Sequence, residues 1–200
     1  KGVELPASIS LYRGDGGFTA PCGVSLNGET SLILLKKNMS LRFRGSYGQE
    51  TLQYDIFGGG ATEFTNLLLR AGQDQEQAII RNELSQSLCE KADMDVINQR
   101  SIFCVLYVNG EYNGIYTLKE KANKYLYASV AGVDPDSVEV IEAPAGYDTE
   151  FYDRVIRFAY MNDMSLDENY EHLASLMDMD GLIDWLIMEG FCANTDITSG

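Results

Sequence analysis

Several residue types are scarce in this chain of 200 residues, and each scarcity excludes something. There is one histidine, His172, and the four cysteines, Cys22, Cys89, Cys104 and Cys192, are widely spread with no C-x-x-C pair. Zinc sites of the finger or ribbon kind need clustered Cys and His ligands, so the spacing argues against one. Cys104 lies in the apolar run Ile102 to Val108 and Cys89 follows a helical apolar stripe, so both read as small buried hydrophobes, and nothing forces a disulfide. Basic residues are also few: 15 Lys and Arg stand against 30 Asp and Glu, a formal charge of -15. Such a field repels phosphate backbones and anionic lipid, which argues against a nucleic acid partner. Carboxylates in surplus suit divalent cations, but most are expected to be solvated surface.

No apolar run is long enough to cross a bilayer, and no charged segment followed by an apolar one opens the chain. It begins with Lys1, which reads as a processed or excised start, so the compartment is not legible from this end. Proline is rare, and there are no internal repeats or low-complexity tracts. What is present, 45% hydrophobic and 22% charged residues, describes a globular chain with enough length for one core.

The first part reads as short strands and turns: Ile9 to Tyr12, a turn at Gly14 to Gly17, Gly23 to Leu26, Ser31 to Leu35, and Ser40 to Arg44. In the last of these, Leu41 and Phe43 alternate with Arg42 and Arg44, which predicts an inward apolar face. Thr51 to Ile56 and Phe64 to Arg70 are further strand candidates. Asp74 stands three residues before Gln77, the spacing of a capping box, and a helix is expected to follow with Ile80, Leu84, Leu88 and Ala92 on its inner stripe. Asn98 to Val108 and Glu111 to Leu118 flank Asn109-Gly110, a dipeptide that accepts positive φ and therefore predicts a β-hairpin, expected here to be central to a sheet. After it come a short helix over Lys124 to Val130, a strand over Ser137 to Glu142, and helices over Thr149 to Met161 and Leu166 to Met177. A last helix, Leu182 to Phe191, is apolar nearly all round and so predicted to be buried, with Asp180-Gly181 at its start. Strands with one helix come first and helices last. The expectation is an α+β fold with a β-rich lobe over 1–119 and a helical lobe over 120–200, folding together as a single domain with a ligand cleft between them.

Beyond Phe191 the chain turns polar as Cys192-Ala193-Asn194-Thr195-Asp196. An Asp where a rigid helix meets a cleft can hold a hydroxyl or a metal with little reorganisation, as phosphoryl transfer requires. On spacing alone an ordinary loop is the stronger reading, because Asn and Asp are common loop formers. Three further signals have plain rivals: Arg13-Gly14-Asp15 and Gly58-Gly59-Gly60 read as turns, and the glycosylation sequon Asn38-Met39-Ser40 borders a strand expected to be buried. His172 is expected on a solvated helical face.

The order Ser40-Leu41-Arg42-Phe43-Arg44 with Tyr47-Gly48, then Leu69-Arg70 with Asp74 and Arg81, then Tyr107-Val108-Asn109-Gly110-Glu111-Tyr112-Asn113-Gly114-Ile115-Tyr116 ending in Leu118 and Glu120, resembles the spore coat protein H (CotH) kinase family. The likeness spans nearly the whole chain and is most specific at the hairpin, while Asn194-Thr195-Asp196 fits the family's N-x-D segment. The resemblance implies an atypical protein-kinase-like fold that uses ATP and Mg to phosphorylate Ser or Thr of secreted, cell-surface or spore-coat proteins. It implies that Asp196 is the catalytic carboxylate, that Arg70 and Arg81 meet phosphate or form the internal ion pair, and that Glu120 faces adenine through its backbone. The family commonly places a Lys directly before the Ser of its Arg-containing strand, where this chain has Met39, so either Lys37, just upstream, serves as the phosphate-binding lysine or the site is weakened. No metal ligand is expected within the chain: a metal-binding Asn after Gly200 and a later Asp would complete the site, so the chain as given is expected to be cut before its final metal ligand, with kinase activity expected of the full-length form. The alternative expectation is a noncatalytic surface module that keeps the fold for binding or adhesion.

Overall fold

The computed structural model describes residues 2–59, 61–72, 80–141 and 152–194. Two units group their own contacts, Lys1–Leu84 with Gln99–Pro135, and Ser85–Asn98 with Asp136–Gly200.

The first unit is built on a six-stranded antiparallel sheet. Its strands are β1 (Glu4–Arg13), β2 (Gly16–Asn27), β3 (Asn38–Arg42), β6 (Asn66–Arg70), β7 (Ser101–Val108) and β8 (Glu111–Glu120), in the spatial order β1-β2-β3-β6-β8-β7. A two-stranded ladder of β4 (Leu52–Gln53) and β5 (Glu63–Phe64) lies in the β3 to β6 connection. Alternation along each strand decides what is buried. Cys22, Leu41, Leu67, Leu69, Tyr116 and Leu118 are inaccessible on one face, and Phe43, Leu52, Ile56 and Phe64 from the β3 to β6 region complete that core.

The second hairpin forms as its turn chemistry predicts, with Asn109 at φ 52° and Gly110 at φ 86°. It is not central, however. β8 lies inside the sheet but β7 pairs only with β8, so Phe103, Val105 and Tyr107 stand on an exposed face. Ser31 to Leu35 is also not a strand. Thr30–Ile33 is a 3-10 turn, because Lys37 Nζ reaches back to the carbonyls of Leu32 and Leu34 and curls the segment. The strand expected at Thr51 to Ile56 shrinks to the two residues of β4. That of Ser137 to Glu142 is absent among the described residues, where Pro135–Ser137 forms a 3-10 turn and 138–141 is irregular.

Five α-helices are described: α1 (Arg81–Lys91), α2 (Lys124–Ala131), α3 (Arg157–Met161), α4 (Asp167–Ala174) and α5 (Met179–Phe191), with a π-helical turn at Tyr152–Ile156 leading into α3. Helix α2 starts where Asn123 Oδ1 accepts the N–H groups of Tyr125 at 3.0 Å and Leu126 at 3.2 Å, and it stops at Gly132 with φ 67°. Helix α5 starts one turn earlier than expected, because Asp178 rather than Asp180 caps it, accepting from Gly181 N at 3.0 Å. It is not buried: none of its residues is inaccessible, and Ile187 is 57% exposed. An all-round apolar pattern reports what a helix can bury, and the described residues of its unit cover only part of it. Helix α1 differs too, since Ile80 and Leu84 are exposed and its buried residue is Cys89.

The result is an α+β fold: an antiparallel sheet with one helix in the middle of the chain, and further helices after it. Two motifs are accounted for by it. Arg13-Gly14-Asp15 forms the tip of the β1–β2 hairpin, with Arg13 drawn to Asp15 at 3.2 Å and to the carbonyl of Ile56 at 2.8 Å. Gly58 and Gly59 donate their N–H groups to Asp55 Oδ1 at 2.8 and 3.0 Å, so a carboxylate of the chain occupies the position a phosphate would need.

Candidate functional site

The sheet face opposite the core carries the polar groups. On β8, Thr117 and Lys119 alternate with Tyr116, Leu118 and Glu120, so the ammonium of Lys119 leaves the strand on the far side from the core. The register pairs Leu68 with Lys119 and Arg70 with Thr117, which puts Arg70 and Lys119 on one face at neighbouring rungs. Ser40 of β3 pairs with Leu68 and joins the same face.

Lys119 is 1% exposed, and its Nζ donates to Asn82 Oδ1 in the first turn of α1 at 2.6 Å. Burial, which penalises the charged form, pushes its pKa down to about 8; the negative charge of Glu83 on α1 opposes that fall and the positive charge of Arg70 adds to it. Ser40 Oγ is buried and Glu83 Oε1 is buried, and neither makes a hydrogen bond among the described residues. Two cations, a carboxylate and an amide are thus gathered where β6, β8 and the start of α1 come together, with the buried Ser40 hydroxyl on the same face of β3, on the other side of Leu68. Chemically this is a low-dielectric cluster in which the buried ammonium is held by an amide and balanced by the charge of Glu83.

The loop before β3 sits at the Arg70 end of this face. Asn38 Oδ1 accepts the N–H of Ala71 at 2.7 Å, and Lys36 Nζ donates to the carbonyls of Ile115 at 2.7 Å and Ala71 at 3.4 Å while lying 4.6 Å from the Tyr116 ring centre. Lys37 and Arg70 are thereby brought to one end of the sheet, although Lys37 Nζ is engaged with the carbonyls of Leu32 and Leu34. Arg81 opens α1 and is exposed. Asp74 and Asp196 lie outside the described residues.

Glu120 stands apart from these cations. It is paired with Leu67 at the other end of β6, its carboxylate Oε1 accepts from Arg100 Nη2 at 2.7 Å, and Oε2 accepts from Arg100 N at 2.9 Å and Nε at 3.2 Å. Its main chain is also engaged: the N–H donates to Arg100 O at 3.0 Å and the carbonyl accepts from Gln99 Nε2 at 2.7 Å. Arg100 continues to the carbonyls of Gly59 and Ala61 and lies over the Phe57 ring. The pair thus fastens the entry of β7 and the 55–61 loop to the end of β8. A cavity of about 400 Å³ opens beside it, lined by Glu63, Thr65, Asn66, Glu120, Asn123 and Tyr125 among others. None of Ser40, Arg70, Asn82, Glu83 or Lys119 lines it, so it is separate from the Lys119 cluster.

Of the residues named from the sequence, Arg70 lies on the Lys119 face, while Lys119, Asn82 and Glu83 were not named. The signal for Lys119 is its alternation with Tyr116, Leu118 and Glu120, two residues after Thr117 near the end of β8. Arg100 carries no signal beyond its place just ahead of an apolar run.

No curated protein matches the chain. A family model described as CotH kinase protein matches residues 24–200, a span that takes in β3, β6, α1 and the β7–β8 hairpin and so every side chain of the Lys119 cluster. The chain belongs to the CotH kinase family.

Proposed function

We propose that the Lys119 face is the nucleotide-phosphate face of an atypical protein kinase, which transfers phosphate from ATP to Ser or Thr of secreted, cell-surface or spore-coat proteins. The observation that carries the reading is the buried Lys119, with Asn82 and Glu83 of α1 on one side and Arg70 on the other. Kinases hold phosphate oxygens with a strand cation that is steadied by a helix carboxylate, because phosphoryl transfer depends mainly on positioning and neutralisation of charge. Here the strand and helix that follow one another, β6 and α1, supply Arg70 and Glu83, and β8 supplies Lys119.

The donor set fits a polyanion: two cations, plus a buried hydroxyl, Ser40 Oγ, with no partner among the described residues. Bound ATP would supply the phosphoryl group. Arg70 and Lys119 would neutralise its phosphate oxygens, Glu83 would fix their orientation, and Lys37 would shape the loop at that end. Arg81 is the cation at the start of α1 and is assigned to phosphate contact from the same side. Glu120 is assigned to holding the end of β8 through Arg100. Asp196 would orient the acceptor hydroxyl and take its proton. Among the described residues no group of three His, Cys, Asp or Glu is placed to hold a metal.

Thermal shift with ATP and Mg, followed by transfer of labelled phosphate to a coat-like protein by a chain extended past Gly200, tests this reading. Stabilisation by nucleotide that is lost in Arg70→Ala supports it, and full activity of Asp196→Asn in the extended chain would remove Asp196 from its role.

The near-complete burial of Lys119 favours a second reading, a noncatalytic surface-binding module whose cluster is a structural relic. That module would show no nucleotide stabilisation under the same conditions.

A further inference from the structure

The sheet of the first unit ends in two unlike edges, β1 and β7. β1 is guarded: it carries Glu4, Pro6 and Arg13, with the small residues Ala7, Ser8 and Ser10 between them. Charge and proline are among the devices by which an edge strand avoids pairing with another chain. β7 has neither. Its eight residues, Ser101–Val108, include no charge, no proline and no glycine. Among the described residues β7 pairs with β8 alone, so backbone N–H and C=O groups along its outer side point away from the sheet. The register shift between Leu106 and Tyr107 does not blunt this edge. Leu106 pairs with Gly114 and Tyr107 with Tyr112, so the extra residue, Asn113, belongs to β8 and β7 runs on without a bulge of its own. Ile102, Cys104 and Leu106 pack on the core, while Phe103, Val105 and Tyr107 on the other face are each more than half exposed. Ile115, cross-strand from Val105, and Tyr112, whose ring centre lies 5.8 Å from that of Tyr107, widen the exposed apolar stripe.

A second copy of the chain fits this edge by charge and by register. Each chain carries a formal charge of -15, so two copies repel over most of their surface, and a strand free of carboxylates is where they can approach. Residues directly opposed in an antiparallel pair share a face, so a two-fold axis normal to the sheet passes through a residue rather than between two. With the axis at Val105, that residue meets its own counterpart, Phe103 meets Tyr107, Cys104 meets Leu106 and Ile102 meets Val108, so every rung is apolar. The antiparallel sense also sets the Asn109-Gly110 turn, with Glu111 after it, toward the Arg100 end of the other copy, which keeps the two Glu111 carboxylates at opposite ends of the contact.

We propose that β7 is a self-pairing edge, through which two copies of the chain join by antiparallel β7–β7 hydrogen bonds centred on Val105 and merge their two six-stranded sheets into one. The contact is a single strand long, so the dimer is weak and forms as concentration rises. It strengthens with salt, because screening relieves the repulsion between two acidic chains and leaves the apolar rungs in place.

The test is the molar mass of the folded 200-residue chain by sedimentation over a dilution series, with hydrogen exchange read by peptide at both ends of the series. The expected mass rises from one chain of 22.2 kDa toward twice that value, and does so at lower concentration in added salt. Peptides from Ser101–Val108 gain protection on association, whereas those from Glu4–Arg13 do not. Val105→Lys puts a charge on the axis, on the face away from the core, and is expected to hold the chain at the mass of one copy. Leu5→Lys, at an exposed position of the guarded edge, is expected to leave association as it was. Circular dichroism shows whether Val105→Lys keeps its fold; where it does not, the exchange pattern of the unaltered chain decides. One-copy mass at every concentration, protection of Glu4–Arg13 in place of Ser101–Val108, growth beyond two copies, or undiminished association of a folded Val105→Lys would each overturn the proposal.

Discussion

Lys119 Nζ donates to Asn82 Oδ1 at 2.6 Å, so a buried ammonium on β8 is held by an amide in the first turn of α1. The hydrogen bond satisfies one of three donors, and the Glu83 charge offsets only part of the burial cost. A fall from 10.5 to about 8 corresponds to a cost of about 3 kcal/mol at neutral pH. Below pH 8 folded and unfolded chains both hold the proton and the cost is fully present. Between about 8 and 10.5 the folded chain releases it first, so the cost is relieved as pH rises. Lys119→Met is therefore expected to be at least as stable as the parent at pH 7, and the parent should gain on the variant between pH 8 and pH 10.5. Urea melts of both proteins at pH 7 and pH 10 check this; a gap that does not change with pH sinks it.

Glu120 and Arg100 make the opposite case, a pair that is satisfied on every side. Glu120→Ala leaves the guanidinium half-buried without its carboxylate and is expected to cost about 3 kcal/mol. Glu120→Gln keeps an acceptor and should cost less. Equilibrium unfolding of the two variants gives the order, and equal losses would mean that volume rather than charge is what Glu120 contributes.

Asn38 holds the N–H of Ala71, 33 positions away, and is itself buried at 9% exposure. Removing the acceptor strands a buried donor, so Asn38→Ala is expected to cost about 1–3 kcal/mol. The same burial makes the sequon Asn38-Met39-Ser40 unusable in the folded chain. Intact mass of the protein made in a glycosylating host should show no sugar at Asn38, and an occupied site would contradict this placement.

Glu4 accepts from Arg42 and, at 2.8 Å, from Tyr47 Oη. The Arg42 bond first, then the Tyr47 bond, hold its carboxyl below the usual 4.5. A lowered acid pKa contributes stability that is present above the unfolded value and is lost as pH falls through the folded one. Glu4→Gln should therefore be less stable than the parent at pH 7, and the two should converge below about pH 4.5. Chemical melts at pH 7 and pH 3 measure that convergence.

The parts of the fold that were legible in the sequence are those decided within a few residues. Asn109-Gly110 sets its own hairpin, Leu41 and Phe43 declare the inner face, and the helix over Lys124–Ala131 is capped by its own Asn123. What was not legible depends on groups far apart in the chain. Ser31 to Leu35 has the composition of a strand, but Lys37 captures two carbonyls there and bends it. Helix α5 shows the pattern of burial without the cover. In the candidate site Arg70 was named through the family motif and lies on the Lys119 face, whereas Lys119 is joined to Asn82 across 37 positions and the Arg100–Glu120 pair spans 20. Asp196, on which the sequence reading placed most weight, is outside the described residues.

β6 has five residues, and it carries β3 on one side and β8 on the other. The two long hairpins can zip from their own turns, but β6 joins them only after loops on both sides have closed, and that closure costs entropy before any rung forms. Insertion of this short strand is therefore expected to be the rate-limiting event of assembly. Truncation of Leu67, which is fully inaccessible, should slow refolding, while truncation of Leu11 at the outer hairpin should mainly hasten unfolding, as stopped-flow measurements would reveal.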